Sequence, residues 1–412
     1  MKQILQILFF FFLITQISFA QWYQQNSGTT NWLPGVSYIN SDIGTVVGTF
    51  GTILRTTNGG DTWFAQSSGT TETFTSVCFI DENIGTAVGS NGIIFRTTDG
   101  GTIWNQQVSG TTDNLYGVFF SDVNNGTAVG GMVEGRILRT TNGGIEWNPQ
   151  TSGTSAVLYS VFFIDENIGT AVGNMGTILK TTNGGASWDL QPSGVTNFLV
   201  SVSFADSNNG WVVGSLGTIL KTTDGGLIWN LQTSGTTEFL EGIDVIDENI
   251  ATAVGGNIGV SGTILRTTDG GATWAPQISG TNNKLLEVSF FDSNYGLAVG
   301  SEGTILHTTN GGVTFVEEEQ IDGIPTEFLL SQNYPNPFNP STNIKYAISS
   351  RQFVSLKVFD IIGNEIATLM DEEKSVGTYE LTWNATNLPS GVYFYQLKAG
   401  SFVETKKMVL MK

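Results

Sequence analysis

Cysteine and histidine are nearly missing: the 412 residues hold one of each, Cys78 and His307. A zinc site of Cys and His ligands, a disulfide framework and a thiol–imidazole pair all need more than that. No cofactor and no metal are expected, and Cys78, set in the apolar run SVCFI, reads as core. Basic residues are also scarce, 17 Lys+Arg against 36 Asp+Glu, for a net charge of −19. A nucleic-acid partner requires cations that displace counterions from phosphates, so that class is excluded. Charged residues of both signs reach only 13%, whereas glycine accounts for 52 positions. That balance suits tight turns between short strands, and an all-β fold is the expectation.

Long apolar runs are absent after the first twenty residues, so no transmembrane segment is expected in the mature chain. The opening itself reads Lys2, then ILQILFFFFLITQI, then Ser18-Phe19-Ala20. A basic start, a short apolar stretch and small residues at the cleavage positions predict a signal peptide over 1–20, cut after Ala20. No cysteine follows that site, so lipid anchoring is not expected.

What is abundant is repetition. The unit GTILRTTNGGDTW recurs, its final aromatic falling at Trp63, Trp104, Trp147, Trp188, Trp229, Trp274 and Phe315, at intervals of 41, 43, 41, 41, 45 and 41 residues. Within each copy an apolar stretch such as LYSVFFID leads through a polar turn, a small-residue strand TAVG and GTILRTT to a glycine turn. Four short strands and their turns fill one such period, which is a blade of a β-propeller. After Phe315 the pattern breaks, but Trp22-Tyr23-Gln24-Gln25 matches the segment that follows each turn and lies 41 residues before Trp63. The N-terminal strand is therefore expected to complete the last blade, giving seven blades over residues 21–316 with no free sheet edge.

In the turn Thr56-x-Asn58-x-Gly60-x-Thr62-Trp63, the Asn bonds nearby backbone, the Gly accepts positive φ and the Trp packs beneath. This resembles the Asp-box or BNR repeat of sialidases, and the whole unit is more closely similar to the photosystem II assembly and stability factor propellers. The resemblance implies the propeller fold and, in that family, an arginine-rich surface that binds a partner.

Each copy carries a base before Thr-Thr: Arg55, Arg96, Arg139, Lys180, Lys221, Arg266 and His307. Residues 21–316 contain eight Lys+Arg against 24 Asp+Glu, and six of the eight sit at this one position. Quasi-symmetry arranges them in a circle, a candidate binding ring for an anionic protein or glycan ligand. The alternative for the same position is structural: capping carbonyls or pairing with a carboxylate on the neighbouring blade. The turns Asp81-x-Asn83-x-Gly85, Asp122-x-Asn124-x-Gly126 and their equivalents resemble half a calcium loop. They lack its bidentate Glu and read as Asx turns. The Trp series reads as core, while Trp32 and Trp211 stand outside it as candidates for exposure.

Catalysis needs groups that break the symmetry and converge from different blades. The three arginines, Tyr/Glu pair and acid Asp that a sialidase resemblance implies are not recognisable, so no catalytic residue is assigned.

After an acidic linker over 317–326, residues 327–412 alternate as six or seven strands of a small sandwich. NYPNPFNPSTNIKY, VFDIIGNEI, LPSGVYFYQLKAG and the final KKMVLMK resemble the type A sorting domain of type IX secretion. That likeness implies handling by the type IX machinery through residues 327–412 and a secreted, extracellular or outer-surface destination after periplasmic transit. The expected function is a non-catalytic, surface-sorted binding or scaffold propeller. The alternative is an extracellular sialidase-like glycan hydrolase of the Asp-box class.

Overall fold

In a computed structural model, residues 22–312, 325, 327–386 and 388–411 are described, and the chain divides into two compact units at Val316/Glu317. The predicted signal peptide, Phe315 and all of the acidic linker except Pro325 lie outside the described residues.

Among the described residues the first unit forms seven four-stranded antiparallel sheets. The second blade is representative, with strands Phe74–Phe79, Gly85–Gly89, Ile94–Thr97 and Asn105–Gln107 in order from the inside outwards. The last blade takes Leu285–Phe290, Gly296–Gly300 and Ile305–Thr308 from the end of the repeat and Tyr23–Gln25 from the N-terminus. Tyr23 pairs with His307 and Gln25 with Ile305, so the ring closes as the spacing predicts.

The core is divided into layers between neighbouring sheets. Val129 and Ile137 of the third blade, for example, pack with Leu158, Val161, Phe163, Leu179 and Trp188 of the fourth. The second and third strands, such as Gly85–Gly89 and Ile94–Thr97, are here buried on both faces, because each sheet is covered by two others, while the outer strands stay exposed. Trp211 belongs to such a layer and is fully buried, which corrects the expectation of exposure. Trp32 stays partly exposed.

One local feature positions the channel wall. In the second to seventh blades the inner strand slips register between its first and third residues, as between Phe74 and Ser76 or Leu240 and Gly242. Such a bulge re-aims the intervening side chain. That side chain belongs to Thr75, Tyr116, Tyr159, Val200, Glu241 or Leu286.

The second unit is a sandwich of two sheets, Leu329–Leu330, Ser341–Ile348 and Gly377–Asn384 against Glu365–Lys374, Gln352–Phe359, Gly391–Ala399 and Phe402–Leu410. The NYPNPF segment is sewn along the final strand. Phe338 is buried, its N–H donates to the Val409 carbonyl at 2.9 Å, and Asn336 Oδ1 accepts from the Val409 N–H at 2.9 Å. The N–H of Asn333 donates to the Tyr395 hydroxyl at 2.7 Å. Trp383, Tyr393 and Tyr395 are buried in this core.

Candidate functional site

The basic ring exists, but its side chains are turned along the circumference. Arg55 Nη1 donates to Thr45 Oγ1 on its own blade at 2.8 Å, and Nη2 donates to the Glu82 carbonyl on the next blade at 2.5 Å. Its guanidinium stands 4.9 Å from the centroid of Phe79, also on the next blade. Arg96 repeats this with Thr86, the Val123 carbonyl and Phe120. Arg139 does so with Thr127, Glu166 and Phe163, and Arg266 with Thr252, Ser293 and Phe290. All four are buried.

Lys180 and Lys221 lack the planar fork and donate instead to the carbonyls of Gly225 and Gly270 in the following blades. His307 lies 3.4 Å from the Tyr38 hydroxyl of the first blade, and burial holds its pKa below the usual value. The ring expected to bind an anion is therefore a set of joints between blades. The Nη donors of the four arginines are buried and already bonded, so they are not available to a ligand, while Nε of Arg139 and of Arg266 has no partner among the described residues.

A second series of joints runs outside the first. Gln66 Oε1 accepts from Trp104 Nε1 at 3.1 Å while its Nε2 donates to the Gly100 carbonyl at 2.9 Å. Gly101, at φ 85°, passes so close that a Cβ would meet Gln66 Oε1 at 2.0 Å, so a larger residue there would have to displace the glutamine from both its bonds. Across the closure, Gln25 grips Trp63 and the Gly59 carbonyl in the same way. Trp22 itself donates to Gln277 at 2.9 Å, so it fills in the seventh blade the place that the repeat assigns to Phe315. At the two lysine joints the amine takes the glycine carbonyl, and at the first of them Trp229 Nε1 is buried without a partner among the described residues.

The polar turns spend their carboxylates on their own backbone. Asp81 Oδ1 accepts from the N–H groups of Asn83 and Ile84, both at 2.7 Å, and Asp122, Asp165, Asp206, Asp247 and Asp292 do the same. These are Asx turns.

The repeat loses its regularity at one mouth of the central channel. A cavity of about 380 Å³ there is lined from all seven blades by the bulge residues named above together with Pro34. On one side Tyr116 and Tyr159 lie 5.4 Å apart and Phe198 stands 6.5 Å from Tyr159, an aromatic arc across three blades. Facing it are Glu241 and Glu287 from adjacent blades. Lys284 pairs with Glu241 and stands 5.0 Å from the centroid of Phe239. Glu287 Oε1 accepts from the Val288 N–H at 3.0 Å.

Burial pushes the Glu287 carboxyl up to about 8, with the negative charges of Asp244 and Glu241 adding to the shift. Asp244, deeper in the channel, is pushed by burial to about 6, but its Oδ2 accepts the Phe290 N–H of the next blade at 2.5 Å. Ser37 and Ser289 do the same for Phe79 and Tyr38, so Asp244 is a joint residue.

The folded chain keeps a proton on Glu287 between about pH 4.5 and 8 that the unfolded chain releases. Its contribution to stability therefore falls as pH rises through that window. Glu287→Gln is expected to melt with the parent near pH 4 and above it at about pH 9, as a pH series of thermal melts will read.

Comparison with known proteins agrees with this architecture. Residues 332–411 match the family described as Secretion system C-terminal sorting domain. Residues 14–109 and 186–279 match Photosynthesis system II assembly factor YCF48. Among solved structures, "YCF48 bound to D1 peptide" is 21% identical with a TM-score of 0.60, covering 71% of this chain and 98% of that one. YCF48 from Cyanidioschyzon merolae is 21% identical at 0.58, covering 70% and 98%. The GH74 enzyme of Niastella koreensis is 13% identical at 0.57, covering 93% and 67%. At these identities the likeness is one of fold. Comparison with curated proteins gives no match.

Proposed function

From a chain that joins a YCF48-type propeller to a type IX secretion sorting domain, we propose a non-catalytic binding module, delivered to the cell surface or its surroundings, that takes its ligand at the channel mouth. A signal peptide for inner-membrane passage belongs to the same proposal, with the sorting domain engaging the type IX machinery afterwards. A photosynthetic role does not fit an exported chain.

The observation that carries the reading is the aromatic arc of Tyr116, Tyr159 and Phe198 beside the cavity. Seven-fold repetition explains the joints but not three neighbouring aromatic rings on one side of the mouth. Such rings offer flat apolar area at low entropic cost to a sugar face or a peptide side chain. The test is an array of polysaccharides and peptides probed with the mature chain. Tyr116→Ala with Tyr159→Ala is expected to weaken capture of any bound ligand by about tenfold or more while the melting temperature holds. Unchanged capture refutes the site.

A sialidase-like glycan hydrolase is the second reading, favoured by Glu241 and Glu287 facing one cavity from adjacent blades, one paired with a lysine and one holding its proton. A glycosidase uses two carboxyl groups with such opposed protonation. Release of reducing ends from a bound polysaccharide, abolished by Glu287→Gln, would establish it in place of the binding module.

A further inference from the structure

Resting on the binding reading, we infer that the face around this mouth docks a cationic, apolar polypeptide segment, its basic side chain entering the cavity and its apolar side chains meeting the surrounding loop tips.

The turns between the second and third strands ring this face, bonded to the blade-to-blade connections by contacts such as Gly51 N–H to Glu72 carbonyl and Gly217 N–H to Glu238 carbonyl. Five of these turns place a non-glycine residue in left-handed backbone: Phe50, Asn91, Met175, Leu216 and Glu302, at φ 54–57°. Asn-Gly is the cheap pair for such a turn, and Asn91-Gly92 is one. Phe50, Met175 and Leu216 adopt the same strained conformation and leave 74%, 60% and 70% of their surface exposed. They are thus unfavourable in backbone and in hydration alike. The longer turns of the third and sixth blades add Met132, Val133, Ile258 and Val260, all exposed. Ile103 and Ile145, on the opposite face, are exposed as well but have no left-handed backbone.

Charge selects the occupant. Of the eight cations in the propeller, six are held in the joints and the other two are paired, Arg136 with Asp113 at 2.8 Å and Lys284 with Glu241. Glu72, Glu134, Glu238 and Glu302 leave the face anionic. Lys284 already shows the recognition in miniature: an ammonium over an aromatic ring beside a carboxylate. A partner's lysine or arginine finds the same combination in the Glu241 carboxylate, in competition with Lys284, and the tyrosines that line the cavity.

The probe is a twelve-residue Lys/Leu peptide, with a Glu/Leu peptide of equal length and phosphatidylcholine vesicles as comparisons, titrated against the mature chain. The Lys/Leu peptide is expected to bind and the Glu/Leu peptide not. Phe50→Asn, Met175→Asn and Leu216→Asn together are expected to weaken binding about tenfold without lowering the melting temperature, since Asn suits the turn. Lys284→Gln, which frees Glu241, is expected to tighten binding several-fold, a gain that damage to the fold does not produce. Equal binding of both peptides, or an unaffected triple variant, overturns the inference. Vesicle binding lost in the triple variant overturns it in favour of a lipid surface. A polysaccharide captured through Tyr116 and Tyr159 while the peptide fails removes this inference and leaves the binding module standing.

Discussion

Trp22→Ala is expected to destabilise the propeller by about 3–5 kcal/mol, the range for removing a buried tryptophan. Trp22 is 1% exposed, meets Phe290 edge-on at 5.7 Å and packs with Leu285 of its own blade and with Val254 and Ile264 across the joint to the sixth blade. Its loss also strands the side chain of Gln277, adding the cost of an unmet hydrogen bond. Trp22→Phe keeps most of the packing and forfeits the hydrogen bond, so about 1–2 kcal/mol is expected for it. Urea titration of both variants checks the pair. A shift within about 0.5 kcal/mol for the alanine variant would mean that the ring does not depend on its N-terminal strand.

Arg55→Ala, Arg96→Ala and Arg139→Ala combined are expected to lower the melting temperature by more than about 10 °C. Each guanidinium makes one bond within its blade and one across to the next while covering a phenylalanine. A hydrogen bond to a charged group is worth roughly 1.5–3 kcal/mol. The three lie at separate joints and should add, to about 5 kcal/mol or more. At roughly 2–4 °C per kcal/mol in a domain of this size, the shift is large. A ligand ring would leave melting untouched and abolish binding, so calorimetry separates the roles. Arg96→Lys is the internal control. Lys180 and Lys221 already hold two joints, so the lysine variant should retain most of the stability.

The sequence carried the ring almost completely, because a blade is a local object: Thr56, Asn58 and Gly60 bond within five residues of one another. Closure was legible too, since Trp22-Tyr23-Gln24-Gln25 copies the outer strand of every blade. The destination of the arginines was not. Arg55 sits opposite Thr45 by strand register, but its second partner, Glu82, lies 27 residues on in another blade, and only the angle between sheets brings them together. The composition gave a hint, because a cation repeated in register with the turn serves what repeats, which is the joint. The channel mouth was missed for the opposite reason. Its residues are those that differ from copy to copy. Setting the seven inner strands side by side would have shown Glu241 and Glu287 where other blades carry Thr75, Val200, Ser160 or Gly117. A search for sameness passes over such positions. The buried Trp211 misled because tryptophan outside a motif looks like surface, whereas a strand covered on both faces has no surface to give it.

The pairing of Tyr23 with His307 spans nearly the whole propeller, whereas the arginine links reach only to the adjoining blade. Six of the joints are thus of low contact order and can assemble in succession as the polypeptide emerges, each new blade templated by the one before. The seventh has to await the entire polypeptide, and closing so long a loop carries the greatest entropic toll. The ring is thus a clasp whose last blade is complete only when both ends of the propeller have been made, and its shutting is expected to be the slow step of assembly.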